Sequence, residues 1–156
     1  MSLEAVFATE ADVEEAIATD CQRIMEHYDM RGVVLRRFGL DIAIATSRWL
    51  KMIEVKAYAH RHGRCGFGGS GGGNQVKVLN HQPPELLIWD RHARWVICKR
   101  DLAPGSQRFS FFNCTQAAES AMRGVEPGKH NNFALSRLSW IDEGGLSQQL
   151  EAFLLS

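Results

Sequence analysis

The chain has 156 residues, of which 45% are hydrophobic and 23% are charged, and its formal net charge is zero. These values are typical of one globular domain with its own apolar core, so residues 1–156 are predicted to form a single domain. They exclude a protein coated uniformly in basic residues. No apolar run approaches the length of a membrane span, and the first residues lack the basic start and apolar core of an export signal. We therefore expect a cytoplasmic protein that does not bind membranes.

Charge is distributed unevenly along the chain. Residues 1–30 contain eight acidic residues and one basic residue, whereas residues 31–64 contain eight basic residues and two acidic ones. A local positive field can attract a polyanion even when the whole protein is neutral. The acidic first segment could equally pair with the basic one, so the charge pattern alone leaves both interpretations open.

Residues 11–28 are predicted to form an amphipathic helix, because apolar residues recur at every third or fourth position from Val13 to Tyr28. Asp12 and Glu15 could form a capping pair at its start. Three short apolar stretches follow and are typical of strands rather than helices. They cover residues 31–38, 40–45 and 49–58.

The second and third of these strands bring charged side chains together. Side chains alternate along an extended chain, so Glu54 and Lys56 share one face of the third strand. If the strands form a tight hairpin turning at Ser47-Arg48, Asp41 lies opposite Glu54. Ser47-Arg48 is not a strong turn dipeptide, so this register could shift by two without separating the acids far. Two carboxylates roughly 5 Å apart at their Cβ atoms repel each other unless a cation or a proton lies between them.

A divalent metal ion would resolve this repulsion. Paired carboxylate oxygens suit Mg²⁺ or Mn²⁺, which commonly share their remaining positions with water and substrate phosphate. Lys56 adds a positive charge that could stabilise the charge developing on a phosphodiester or orient the attacking water. The residue types therefore fit phosphodiester hydrolysis, although an exposed hairpin with a surface ion pair between Glu54 and Lys56 would show the same letters.

Asp41, a spacer of twelve residues and then Glu54-Val55-Lys56 resemble the motif of the PD-(D/E)xK nuclease superfamily, which includes restriction enzymes, Holliday-junction resolvases and repair exonucleases. Leu40 stands where the name-giving proline would be. The order of one helix and three strands also resembles the catalytic core of that superfamily, over roughly residues 11–60. The resemblance implies an α/β fold of the restriction-endonuclease type, with a mixed central sheet flanked by helices.

The resemblance also implies a function and a set of site residues. Asp41, Glu54 and the carbonyl of Val55 would bind Mg²⁺ or Mn²⁺, and Lys56 would assist the water that attacks DNA. A glutamate of the first helix often reaches the metal in such nucleases, and Glu14 fits this role better than Glu15 because it lies beside the buried stripe. The resemblance to exonuclease members further suggests Gln75, although the tyrosine expected four residues later is Leu79.

Residues 60–75 are unusually rich in glycine, which predicts a loop without regular structure. The segment contains a Gly-x-Gly-x-x-Gly pattern from Gly66 to Gly71, but no βαβ context for a dinucleotide site follows. Basic residues in and around this loop are candidates for contacts with phosphates. The candidate nucleic-acid contacts are Arg36, Arg37, Arg61, Arg64 and Lys77.

The remaining elements close the predicted sheet. Residues 85–89 and 93–99 are predicted as strands joined by a hairpin turn at residues 90–92. Helices are predicted at residues 116–123, capped by Asn113 or Thr115, and at residues 146–155. The four cysteines form no CxxC pair, so a zinc site or a disulfide framework is not indicated.

The sequence thus predicts a metal-dependent nuclease acting on DNA. The alternatives are a nucleic-acid-binding module without catalysis on the same fold, and an interaction domain that displays the glycine-rich loop to a protein partner. The sequence does not distinguish duplex, junction, single-stranded or RNA substrates. It also leaves open whether the protein forms a homodimer.

Overall fold

The computed structural model describes residues 9–38, 40–59, 64–68, 88–100, 105–117, 130–134 and 138–156. Its first element, α1 (Glu10–His27), confirms the amphipathic helix that the apolar spacing predicts. Val13, Ile17, Cys21 and Ile24 are at most 1% exposed, so this stripe faces the core. Among the described residues, no helix is both long enough and apolar enough to cross a membrane.

The start of α1 differs from the sequence prediction. Thr9 is the N-cap: its side-chain oxygen accepts a hydrogen bond from the backbone N–H of Asp12, and the Asp12 carboxylate accepts one from the N–H of Thr9. The predicted pairing of Asp12 with Glu15 is therefore wrong. A capping box begins with a hydroxyl residue three positions before its acidic partner, and Thr9 supplies that hydroxyl.

A five-stranded sheet carries most of the described fold. The strands are β1 (Gly32–Phe38), β2 (Leu40–Thr46), β3 (Leu50–Ala59), β5 (Ala93–Arg100) and β6 (Arg108–Phe112). Their spatial order is β1-β2-β3-β5-β6, and all neighbouring strands are antiparallel except β3 and β5, which are parallel. The mixed α/β class is confirmed, whereas β6 was not predicted.

A second, two-stranded sheet corrects the interpretation of the glycine-rich segment. Strand β4 (Arg64–Gly68) pairs antiparallel with β7 (His130–Ala134), so part of the predicted loop is regular structure. Glycine weakens a strand but still offers its backbone N–H and C=O to a partner. That partner lies more than sixty residues away in sequence, and this is why local composition did not reveal the pairing.

The core lies between one face of the large sheet and two helices, α1 and α3 (Glu143–Leu155). Asp142 caps α3 by accepting a hydrogen bond from the N–H of Gly145 at 2.7 Å. Leu146 and Leu150 of α3 join Ile17 of α1 and Ile53 of β3 in one buried cluster. Truncating such a residue to alanine typically costs about 2–5 kcal/mol, so these contacts hold α1 in place against β3.

Two further predictions need correction. Ile88 and Trp89 are helical and not part of a strand, because a short apolar run does not by itself separate the two structures. The residues directly before the predicted turn are therefore helical, and residues 85–87 lie outside the described part of the chain. The helix predicted at residues 116–123 begins earlier, as α2 (Cys114–Ala117), and Asn113 caps it by accepting a hydrogen bond from the N–H of Gln116. Residues 118–123 lie outside the described part of the chain.

Candidate functional site

The hairpin formed by β2 and β3 has the predicted register. Ile42 lies opposite Ile53 and Ala43 opposite Met52, and the same register places Asp41 beside Glu54. The turn is held locally: the N–H of Thr46 donates to the carbonyl of Trp49 at 2.9 Å, and the Thr46 hydroxyl oxygen accepts from the N–H of Trp49 at 3.2 Å. The turn at Ser47-Arg48 is thereby confirmed, and with it the position of both acids.

The pairing of β2 with β3 ends at Ile42. Beyond that point, acidic side chains accept the hydrogen bonds of the β3 backbone that a neighbouring strand would otherwise accept. The carboxylate of Asp41 accepts a hydrogen bond from the backbone N–H of Val55 at 2.8 Å, and the carboxylate of Glu10 accepts one from Ala57 at 3.1 Å. In an antiparallel strand the N–H and C=O of one residue point toward the same side. The carbonyl of Val55 therefore faces the edge where Asp41 lies.

Glu54 is the most strongly perturbed acid of this group. Its side chain is 4% exposed, and burial, followed by the negative charge of Asp41 and a hydrogen bond with that carboxyl, raises its pKa to about 8. The ammonium of Lys56 lies 3.8 Å from Glu54 and opposes this shift. The charge of Lys56 is thus too distant and too exposed to outweigh burial and the second carboxylate.

α1 brings two more acids to the same edge. Glu14 is 4% exposed, and its pKa is raised by burial and then by the charge of Asp41 and a hydrogen bond with it. The side chain of Glu15 is 73% exposed and binds the guanidinium of Arg36 at 2.6 Å. Glu14 therefore faces inward and Glu15 outward, as the position of the buried stripe predicts.

Glu10 was not identified from the sequence. It lies one helical turn before Glu14, on the same side of α1, and burial raises its pKa although Lys56 and the N–H of Ala57 act in the opposite direction. The four-residue spacing from Glu14 was the available signal. Four carboxylic acids, Glu10, Glu14, Asp41 and Glu54, thus converge on the edge of β3, and we call them the acidic cluster.

The predicted nucleic-acid contacts have different outcomes. Arg36 lies 3.3 Å from Glu14 as well as 2.6 Å from Glu15, so its guanidinium is engaged by α1. Arg37 is exposed and has a φ of 59°, a left-handed conformation at the end of β1. The backbone of Arg64 begins β4. Arg61, Gln75 and Lys77 lie outside the described residues.

The composition of the acidic cluster suits a hard divalent cation. Its donors are carboxylate oxygens and the Val55 carbonyl, and burial together with the charge of Asp41 raises the pKa of Glu10, Glu14 and Glu54 although Lys56 and Arg36 lie nearby. Within the described residues, no three His, Cys, Asp or Glu side chains form a ready metal-binding group. No family model matches the chain, and no curated protein matches it. The function must therefore be inferred from the chemistry of these residues.

Proposed function

We propose that this chain is a metal-dependent nuclease that hydrolyses DNA phosphodiester bonds, with a fold of the restriction-endonuclease type. The observation that carries the proposal is the hydrogen bond from the N–H of Val55 to Asp41 at 2.8 Å. It fixes Asp41 of β2 against the middle residue of Glu54-Val55-Lys56 on β3. The two carboxyl groups also share a hydrogen bond, so they lie close enough to support joint binding of one ion.

Asp41, Glu54 and the Val55 carbonyl would hold Mg²⁺ or Mn²⁺. When bound, the ion would polarise the phosphate and lower the pKa of a coordinated water. Glu54 must give up its proton before it can act as an oxygen ligand, since its pKa in the metal-free protein is about 8. Glu14 and Glu10 lie at the same edge, where burial and the charge of Asp41 raise the pKa of both.

Lys56 supplies the positive charge of the site. Its side chain is 20% exposed and extends from the same strand as Glu54, so it can reach solvent while staying beside the acids. In this position its ammonium orients a water molecule or stabilises the charge that develops on the phosphate. The basic segment of residues 31–64 would attract the nucleic acid toward the site.

The test is cleavage of plasmid, linear duplex and single-stranded DNA in Mg²⁺, Mn²⁺ or a chelator. We expect the native protein to cut at least one substrate only with metal. Asp41→Asn and Lys56→Ala should each reduce the rate at least about a hundredfold, because each removes charge stabilisation of several kcal/mol. RNA substrates in the same assay decide whether the activity is restricted to DNA.

Asp142→Asn is a matched control for Asp41→Asn. Asp142 caps α3 from an exposed position, and asparagine caps a helix as well as aspartate does, so this variant should cut normally. The proposal fails if the native protein cuts no substrate and divalent ions do not change its melting temperature. Metal-independent binding of DNA without cutting would favour the non-catalytic module.

A further inference from the structure

A second cleft lies at the opposite end of β2 from the acidic cluster. Its volume is about 620 Å³, within the range of ligand pockets. It is formed by the residues after α1, by the turn between β2 and β3, and by the last residues of α3. Asp41 and Thr46 are five residues apart on β2, which places the cleft about 17 Å from the acidic cluster.

Two arginines and an indole ring give this cleft its chemistry. Arg31 and Arg48 line it and are exposed, and within the described part of the chain neither has a carboxylate at ion-pair distance. Trp49 also lines it and is half-buried. The ammonium of Lys51 lies over the Trp49 ring, 4.6 Å from its centroid, and helps to hold the ring in place.

Phosphates and aromatic bases are the groups that this combination recognises. Guanidinium groups bind phosphate oxygens through two parallel hydrogen bonds, and aromatic side chains stack on bases whatever their sequence. An acidic peptide would satisfy the arginines but would leave the indole without a stacking partner. The cleft therefore fits nucleic acid better than an acidic protein segment.

We propose that the cleft binds an unpaired segment of nucleic acid, with phosphates on Arg31 and Arg48 and a base stacked on Trp49. The nature of the ligand rests on the proposed nuclease function, but the binding itself does not require catalysis. The cleft would hold a single-stranded part of the substrate away from the acidic cluster. Among the lining residues, Asp29 carries an acidic side chain, which would weaken this binding.

The experiment measures binding of a fluorescein-labelled ten-nucleotide oligothymidylate by anisotropy, with a chelator present so that nothing is cut. We expect Arg31→Ala and Arg48→Ala to weaken binding and to lower the slope of log K against log salt by about 0.7 each. Trp49→Ala should weaken binding about fivefold to a hundredfold with an unchanged slope, and Trp49→Phe should restore most of it.

Two variants serve as matched comparisons. Arg23→Ala removes an exposed arginine of α1 that lies outside the cleft and pairs with Asp20, so it should bind as the native protein does. Asp29→Asn should tighten binding about threefold by removing the opposing charge. Asp29 has a φ of 50°, a conformation that asparagine tolerates, so this change should leave the backbone unaltered.

Several results would overturn the inference. They are an undetectable affinity of the native protein for the oligonucleotide, equal losses in Arg23→Ala and Arg48→Ala, and displacement of the oligonucleotide by polyglutamate as readily as by unlabelled oligothymidylate. If the cleft variants cut and bind normally, the proposal for the cleft is wrong but the proposed nuclease function is unaffected. If the protein binds through the cleft but cuts no substrate, the proposed nuclease function is wrong but the proposal for the cleft stands.

Discussion

Glu54 and Lys51 lie three residues apart on β3, on opposite faces of the sheet, and both are buried charged residues at 3% and 2% exposure. The ammonium of Lys51 donates to the carbonyl of Phe153, to the carbonyl of Ser156 at 3.0 Å and to the Ser156 hydroxyl oxygen at 2.9 Å. Glu54 instead faces Asp41, a charge of the same sign, and the ammonium of Lys56 lies 3.8 Å away.

Burial moves both pKa values to about 8, from opposite directions. Lys51 and Glu54 nevertheless have different roles, because the groups around them differ. Lys51 is surrounded by acceptors and by the rings of Trp49 and Phe153, so it docks the end of α3 onto the sheet. Glu54 faces other acids, and burial beside them raises its pKa although Lys56 lies nearby, so an additional proton or cation stabilises this arrangement. A buried charge is thus a better indication of a binding site when its neighbours repel it.

The largest expected difference between the two residues is in catalysis. Glu54→Gln should reduce DNA cleavage at least about a hundredfold, because it removes a charged ligand of the proposed ion. Lys51→Met should leave the rate constant of the folded protein within about threefold of the native value, because Lys51 contacts α3 and not the acidic cluster. Single-turnover cleavage at saturating metal measures both, and equal losses would contradict the distinction.

Folding stability should show the opposite order. Lys51→Met keeps the length of the side chain but removes the charged donor of the Phe153 and Ser156 oxygens, of which the Phe153 carbonyl still accepts from the Ser156 hydroxyl and N–H. Because hydrogen bonds from a charged group are lost, the free energy of unfolding should fall by about 1–3 kcal/mol. Urea denaturation with a chelator present measures this change. Lys99→Met is a suitable control, since Lys99 lies over the Trp140 ring without bonding the end of α3. An equal loss in the control would show that hydrophobic replacement of any lysine is sufficient.

The pH dependence separates the two residues further. Folding raises the pKa of Glu54 from 4.5 to about 8, so between these values the folded state holds a proton that the unfolded state has lost. The metal-free protein should therefore lose stability as pH rises through this window, by at most about 1.4 kcal/mol per pH unit for this group. In Glu54→Gln this contribution is absent, and the stability difference between the two proteins should grow with pH in favour of the variant.

Lys51 should affect folding stability at higher pH, between about 8 and 10.5. Folding lowers its pKa from 10.5 to about 8, so above pH 8 the unfolded state binds more protons and stability should rise with pH because of this group. Chemical denaturation of the native protein and of both variants at pH 5 to 10 tests both signs. A slope below pH 8 that is unchanged in Glu54→Gln would show that Glu54 is not the group responsible.

The smallest effect is expected at the exposed ion pair. Glu15→Ala should change the free energy of unfolding by less than about 0.5 kcal/mol, because Glu15 is 73% exposed and its partner Arg36 also contacts Glu14. Thermal denaturation with Glu26→Ala as a second exposed helix acid provides the comparison. A loss above about 1 kcal/mol would show that Glu15 helps to fix the acidic cluster.

The sequence was sufficient where structure depends on neighbours in the chain. The apolar spacing of α1 and the alternation in β3 predicted both elements, and a tight hairpin assumed at Ser47-Arg48 gave the register that joins Asp41 to Glu54. Alternation and turn geometry act over a few residues, so a single sequence records them.

Long-range partners were not predictable in this way. The local sequence predicts that Lys51 is an ordinary surface lysine. The oxygens that accept hydrogen bonds from its ammonium lie 102 and 105 residues later, at the end of α3. Glu10 bonds a backbone N–H that is 47 residues away, so its position near the site depends on how α1 packs against β3. Whether such residues are buried is decided by the assembled fold, which local patterns do not encode.

The hydrogen bonds from Val55 and Ala57 to acidic side chains also affect aggregation. Unpaired N–H groups on a strand edge can recruit a strand from another molecule. Where β2 leaves β3, the carboxylates of Asp41 and Glu10 occupy these donors, and their charge repels the carbonyl groups of an incoming strand. The residues proposed to serve chemistry therefore also protect an interior strand from mispairing, and neutralising both of them should make the protein more prone to form fibrils.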